Sequence, residues 1–252
     1  VNNTFSSSPL NFSLVKTLAG DFSQLCSGEI AAMNVRIIDK EEQDNRYDLF
    51  DVHFHTDVIK TMVTPDPDII TQWISETESS HSGNRRLIAG LDVEWRPNFN
   101  RNQENPVAVL QICVDRRCLI IQLLYCRSIP ESLFNFLGNR GYDFVGVGIE
   151  SDVEKLLEEY ELNVKNVVDL RGIAADVYGM KNLKNAGLKE LCNVVLGKEI
   201  VKPKSVTMGR WDSEWLSLNQ IQYACLDAFV SSEIARHLNV GAAAGAASAS
   251  GS

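Results

Sequence analysis

The sequence has no CxxC pair and none of the paired cysteine spacing of a structural zinc site; its six cysteines stand singly at positions 26, 113, 118, 126, 192 and 225. Cys113, Cys192 and Cys225 lie inside apolar segments, where a reduced thiol behaves as a small buried hydrophobe. A disulfide framework is therefore not expected, and the compartment reads as intracellular, cytoplasm and nucleus both open. Long apolar runs are also missing. The longest, Val107 to Val114, is interrupted by Gln111 and falls far short of the roughly 20 residues that span a bilayer, so no membrane association is expected. Positive charge is scarce: 24 Lys and Arg against 33 Asp and Glu leave a net charge of −9. That excludes a protein that coats duplex nucleic acid through one broad basic surface, but not a narrow site on an acidic body. Asn2-Asn3-Thr4 and Asn11-Phe12-Ser13 match the glycosylation pattern, yet no charged start followed by an apolar stretch marks a secretory signal.

What is present is ordinary globular composition, 44% hydrophobic and 23% charged. Residues 1–32 are rich in Ser and Asn and read as a leader or appended segment; residues 241–252 contain only Gly, Ala and Ser, a flexible-tail composition. Residues 33–240 are left for a single domain. Residues 47–54 and 58–63 alternate apolar and polar around His55-Thr56-Asp57, which predicts a β-hairpin. Asp66-Pro67-Asp68 opens a helix with Ile69, Ile70, Trp73 and Ile74 as its apolar stripe. Three strand-like runs follow, 87–95, 107–114 and 118–124, as an antiparallel meander. Helix 130–137, strand 144–148, helix 151–160, strand 166–170 and helices 170–178, 183–196 and 218–238 complete an α/β pattern, a mixed sheet covered on both faces.

Two places break the core pattern. In Asp92-Val93-Glu94 the alternation of a strand points both acids to one face, about 5 to 7 Å apart, and anions so placed raise one another's pKa unless a cation sits between them. The alternative is a solvated strand end. In the last helix Ile221, Ala224, Cys225, Ala228, Phe229 and Val230 are apolar over three turns, yet Tyr223 and Asp227 stack at i and i+4. Either Asp227 has a partner, Tyr223 among the options, or it faces solvent, since an unpaired buried Asp is costly. A third acid, Asp152, stands near the positive end of the helix after Val145-Gly146-Val147-Gly148-Ile149.

Together, Leu91-Asp92-Val93-Glu94-Trp95, Val145-Gly146-Val147-Gly148-Ile149-Glu150-Ser151-Asp152 and Tyr223-x-x-x-Asp227 resemble the three motifs of the DnaQ-like, or DEDDy, 3′-to-5′ exonucleases, close to the Werner-type branch. The likeness runs through Val107-Ala108-Val109-Leu110-Gln111-Ile112-Cys113, Val168-Asp169-Leu170-Arg171, Gly187-Leu188-Lys189-Glu190-Leu191 and Leu196-Gly197-Lys198. It implies an RNase H-like fold with a mixed five- or six-stranded sheet flanked by helices and a small N-terminal hairpin extension. It implies that Asp92, Glu94, Asp152 and Asp227 hold two divalent ions, Mg²⁺ or Mn²⁺, and that Tyr223 orients the attacking water. The implied reaction is two-metal-ion hydrolysis of phosphodiester bonds at the 3′ end of single-stranded or frayed RNA or DNA, releasing nucleoside 5′-monophosphates.

Lys202, Lys204 and Arg210, in a stretch resembling the family's basic loop, and Trp95, placed to stack on a terminal base, are the expected nucleic-acid contacts. Val93 stands where many relatives carry Thr, and Arg96 where the Werner type often has Pro. No helicase motif or P-loop is present. Small plant exonuclease-like proteins are similar in hairpin and core; some form ring hexamers and clear RNA alongside Argonaute complexes, which implies a homo-oligomer and an Argonaute association. The competing reading is a catalytically weak nucleic-acid-binding oligomeric scaffold of the same fold.

Overall fold

Alternation and buried β-branched runs build one sheet. The computed structural model describes residues 35–40, 44–81, 86–98 and 104–240; the segments 1–32 and 241–252 lie outside the described residues. The strands are β1 (Val35–Lys40), β2 (Asp48–Phe54), β3 (Asp57–Thr64), β4 (Leu87–Trp95), β5 (Val107–Val114), β6 (Arg117–Gln122), β7 (Tyr142–Gly146) and β8 (Val167–Asp169), in the order β1-β2-β3-β6-β5-β4-β7-β8. The expected meander is there: β5 pairs antiparallel with both β4 and β6. Parallel pairs of β3 with β6, β4 with β7 and β7 with β8 make the sheet mixed.

The eight strands among the described residues exceed the five or six expected, because the hairpin β2–β3 is no separate extension: β3 hydrogen-bonds to β6, continuing the main sheet, and β1 adds a strand beyond it. β1 escaped the alternation reading for a physical reason. An edge strand needs only one partner, and this one buries only Val35, so no period-2 signal is written into it.

Helices cover both faces. They are α1 (Pro67–Ser80), α2 (Glu131–Leu137), α3 (Ile149–Tyr160), α4 (Leu170–Tyr178), α5 (Leu188–Leu191), α6 (Lys204–Thr207) and α7 (Leu218–His237). Asp66 caps α1 by accepting from the backbone N–H groups of Asp68 and Ile69, and Ile69, Ile70, Trp73 and Ile74 are its buried stripe. The continuous helix expected over 183–196 is broken into a 3₁₀ turn at Lys181–Asn185, the extended Gly187, the single-turn α5 and a π turn at Cys192–Leu196. Apolar spacing alone carried that expectation; it cannot register an extended glycine between two helical turns.

β5 is buried along its whole length because each sheet face carries its own core. One face packs Leu91, Leu110, Ile112, Phe136 and Phe144; the other packs Val52, Phe54, Ile120 and the underside of α7. A Ser217–Gln220 capping box starts α7. The helix lies almost on the backbone of β4: a Cβ added at Gly90 would stand 1.8 Å from the Ala228 carbonyl oxygen. Gly90 is thus what lets the two elements meet.

Replacing Gly90 by Ala is expected to cost at least about 3 kcal/mol, since the clash is with backbone on both sides. Gly172→Ala in α4, where an added Cβ meets nothing within 4 Å, is expected to gain about 0.5–1 kcal/mol from helix propensity. Urea unfolding of the two variants checks the opposite signs.

Candidate active site

The pleat of β4 turns Leu91 and Val93 into one core, at 1% and 4% exposure, and Asp92 and Glu94 toward α7 with partial solvent access. From α7, Asp227 enters the same space at 3% exposure. One carboxylate oxygen from each of Asp92, Glu94 and Asp227 lies within 4.8 Å of the others. This convergence follows from the Gly90 contact: the acids follow Gly90 by two and four residues, and Asp227 precedes Ala228.

Asp152 comes from α3, at 8% exposure. Gly148, at φ +74°, turns the chain from β7 into α3 without the strain a side chain would meet there. Its N–H donates to Asp169 Oδ2 at 3.0 Å, and Arg171 Nε donates to the same oxygen at 2.9 Å. Despite burial, these donors hold the Asp169 carboxyl below the usual range. The turn that aims Asp152 is therefore pinned by a carboxylate with two independent donors.

Crowding shows in the acids themselves. Burial, then the charges of Asp227, Asp152 and Glu94, push Asp92 well above the usual carboxylate range. Glu94 is pushed up to about 9 by burial and Asp227. Asp152 is raised to about 7 by burial, against a hydrogen bond with Asp92 that works the other way. The Tyr223 phenol is raised by burial and by Asp227 and Glu94. It stands one turn before Asp227, with the buried Trp211 ring behind it at 6.0 Å between centroids.

Lys202, expected to meet nucleic acid, instead turns inward. Its Nζ lies 2.6 Å from Asp227 Oδ2 and 5.1 Å from the Tyr223 ring centroid. Burial opposes its charge, but Asp227, Asp92 and Glu94 hold the ammonium above its ordinary pKa. Of the other three expected contacts, Lys204 is exposed at the start of α6. Arg210 Nε donates to Asp212 Oδ1 at 2.9 Å. Trp95 packs partly against the core, with Lys155 Nζ 5.1 Å from its ring centroid. Asp212 also receives Arg96 Nη1 at 3.1 Å, tying the end of β4 to the loop before α7.

Two residues near the acids escaped the sequence reading. Trp211 backs Tyr223, and its position in the loop before the tyrosine was the available signal. Gln111, the cross-strand neighbour of Asp92, is fully buried, and neither side-chain amide atom has a partner among the described residues. A polar side chain in the middle of a fully apolar run was the clue.

The donor set of Asp92, Glu94 and Asp227 suits a hard divalent cation, carboxylate oxygens only and close together; Asp152 stands outside that trio, linked to it by its hydrogen bond with Asp92, and the Lys202 ammonium sits beside Asp227.

Comparison with known proteins agrees with this geometry. A family profile described as 3′-5′ exonuclease matches residues 64–241. The chain is 35% identical over 159 residues to a 3′-5′ exonuclease of Arabidopsis thaliana, covering 63% of this chain and 54% of that protein. It is 32% identical over 143 residues to the bifunctional 3′-5′ exonuclease/ATP-dependent helicase WRN of Mus musculus, covering 56% of this chain and 10% of that protein. The chain thus spans about half the length of the plant relative and a tenth of the mouse one. The Aedes aegypti Nibbler EXO domain superposes with a TM-score of 0.57 at 17% identity, covering 72% of this chain and 88% of that domain. The fold is the RNase H-like one expected from the motifs.

Unfolded, these carboxyls titrate near about 4; folded, Asp152 and Glu94 do so at about 7 and about 9. The folded chain therefore holds protons that the unfolded chain has released, so stability is full at low pH and is lost as pH rises through those values. In chelator, the melting temperature is expected to fall between pH 5.5 and 8.5, and Asp92→Asn to flatten that fall. Thermal unfolding across pH checks it.

Proposed function

The chain belongs to the 3′-5′ exonuclease family, and from that premise we propose that it hydrolyses phosphodiester bonds at the 3′ ends of single-stranded or frayed nucleic acid, releasing nucleoside 5′-monophosphates by the DEDDy two-ion chemistry. The observation that carries the reading is the meeting of Asp92, Glu94 and Asp227 oxygens within 4.8 Å from a strand and a helix far apart in sequence.

Asp92, Glu94 and Asp227 would hold one Mg²⁺ or Mn²⁺, with Asp92 and Asp152 holding a second. Bound there, the ions would supply a water acidic enough to attack at neutral pH and charge to stabilise the attacking and leaving oxygens. The chain's own groups do the rest. Tyr223 keeps its proton, because burial and the neighbouring acids push its phenol up; it acts as a hydrogen-bond donor that orients water or phosphate, not as a base. Trp211 fixes the ring from behind. Lys204 and Arg210 are exposed and Trp95 partly so, where phosphates and bases of the incoming strand would meet them.

The net charge of −9 is no obstacle, since ions held by Asp92, Glu94, Asp152 and Asp227 would supply positive charge at the substrate phosphate without a broad basic face. The resemblance to the small plant proteins supports, within the same reading, a homo-oligomer working beside Argonaute complexes in cytoplasm or nucleus.

With Mg²⁺ or Mn²⁺, a 5′-labelled oligonucleotide is expected to give a ladder shortening from its 3′ end. Asp92→Ala is expected to lose at least about 10³-fold in rate and Tyr223→Phe about 10²-fold, both with a folded protein. Circular strands are expected to stay intact. Matched RNA and DNA strands run in parallel read the sugar preference. No ladder on either strand with either ion would leave the fold as a binding scaffold.

A further inference from the structure

Asp227 is almost fully enclosed, yet one cation reaches it. The Lys202 side chain is 31% exposed and that of Asp227 4%, at 2.6 Å. Among the described residues no other basic side chain forms an ion pair with Asp92, Glu94, Asp152 or Asp227. Without that ammonium, Asp227 would be left as an uncompensated charge, 3% exposed, beside Asp92 and Glu94, and removing one partner of a buried ion pair is strongly destabilising.

The loop that delivers Lys202 anchors its backbone while the side chain, paired with Asp227, stays partly exposed. Ile200, 2% exposed, anchors one side, and Pro203 caps α6 on the other, with Val206 buried beneath. Val201 between them is 48% exposed. Lysine carries a compact charge on a flexible stem, so Nζ can leave one oxygen for another while the backbone stays put. The same oxygens that hold Nζ belong to the group assigned to a divalent ion, and one carboxylate cluster cannot serve both cations at full strength.

We propose that Lys202 is the resident cation of the acid cluster: its ammonium neutralises Asp227 in the ion-free protein and is displaced when divalent ions bind, so that metal loading is an exchange of one cation for another. The displaced ammonium, still tethered beside Tyr223, is then placed to meet a substrate phosphate. This rests on the two-ion reading above and adds to it a competitor encoded in the chain. The exchange makes ion binding weaker than the bare acids would give, and it keeps the empty site folded.

Mn²⁺ titration by calorimetry on the purified protein tests the proposal, with Lys202→Met and Lys202→Arg beside the wild type. Lys202→Met is expected to bind Mn²⁺ about tenfold more tightly, because the competing charge is gone, and to melt at a lower temperature in chelator. Lys202→Arg, which keeps the charge, is expected to stay near wild-type affinity. In the wild type, acetic anhydride labelling of Lys202, read by peptide mass spectrometry, is expected to rise several-fold when Mn²⁺ replaces chelator. Equal or weaker Mn²⁺ binding by Lys202→Met, or labelling that Mn²⁺ leaves unchanged, overturns the proposal while leaving the two-ion reading in place. Failure of the wild type and both variants to bind Mn²⁺ overturns the two-ion reading itself, and this proposal with it.

Discussion

Burial of several carboxyl groups close together is the constraint around which the molecule is arranged. Asp92, Glu94 and Asp227 offer oxygens within 4.8 Å of one another, with Asp152 against Asp92. Burial first, and neighbouring acids second, hold Asp92 and Glu94 above the usual carboxylate range, and burial raises Asp152, so the fold that carries them weakens as pH rises. Such a cluster persists only where the backbone leaves it no room to open. Here that role falls to the packing of α7 on β4 at Gly90, where an added Cβ would meet the Ala228 carbonyl at 1.8 Å. Lys202 offsets part of the charge, and the apolar cores on both sheet faces provide the stability that the acids spend.

Function then follows from placement more than from composition. β4 contributes two acids because a strand repeats every second residue. α7 contributes Tyr223 and Asp227 because a helix repeats near every fourth, and the positive-φ Gly148 turn brings in Asp152. Each part is fixed by a neighbour off the site: the Gly148 turn by Asp169, itself held by Arg171, Tyr223 by Trp211, the end of β4 by the Arg96–Asp212 pair. An acidic protein can accept a polyanion on these terms, since the favourable charge is concentrated at one point instead of spread over a surface.

Much of this was legible in the chain, and the reason is that function breaks local rules. Asp92 and Glu94 interrupt a strand whose other residues are apolar, and Asp227 interrupts a buried helix; anomalies of that kind survive without coordinates. The meander, the cap at Asp66 and the run of helix and strand after residue 130 were legible because each has its own periodicity or punctuation. What failed to show was set by partners distant in sequence or by a backbone conformation that apolar spacing does not encode. β1 is a strand because β2 lies beside it, not because of its own alternation. The 183–196 stretch breaks because of an extended Gly187 that apolar spacing ignores. Lys202 read as a basic-loop contact for nucleic acid, and only the fold shows that its Nζ meets Asp227. Gln111 stood in plain sight in β5, but its meaning depends on Asp92 lying across from it.

Soaking crystals of the protein in Mn²⁺ and collecting anomalous diffraction at the manganese edge addresses the central claim without any assay. Two anomalous peaks among the carboxylates of Asp92, Glu94, Asp152 and Asp227, with Nζ of Lys202 moved off Asp227, are the result predicted. Well-ordered carboxylates with no manganese between them, or manganese bound only elsewhere on the surface, would contradict it.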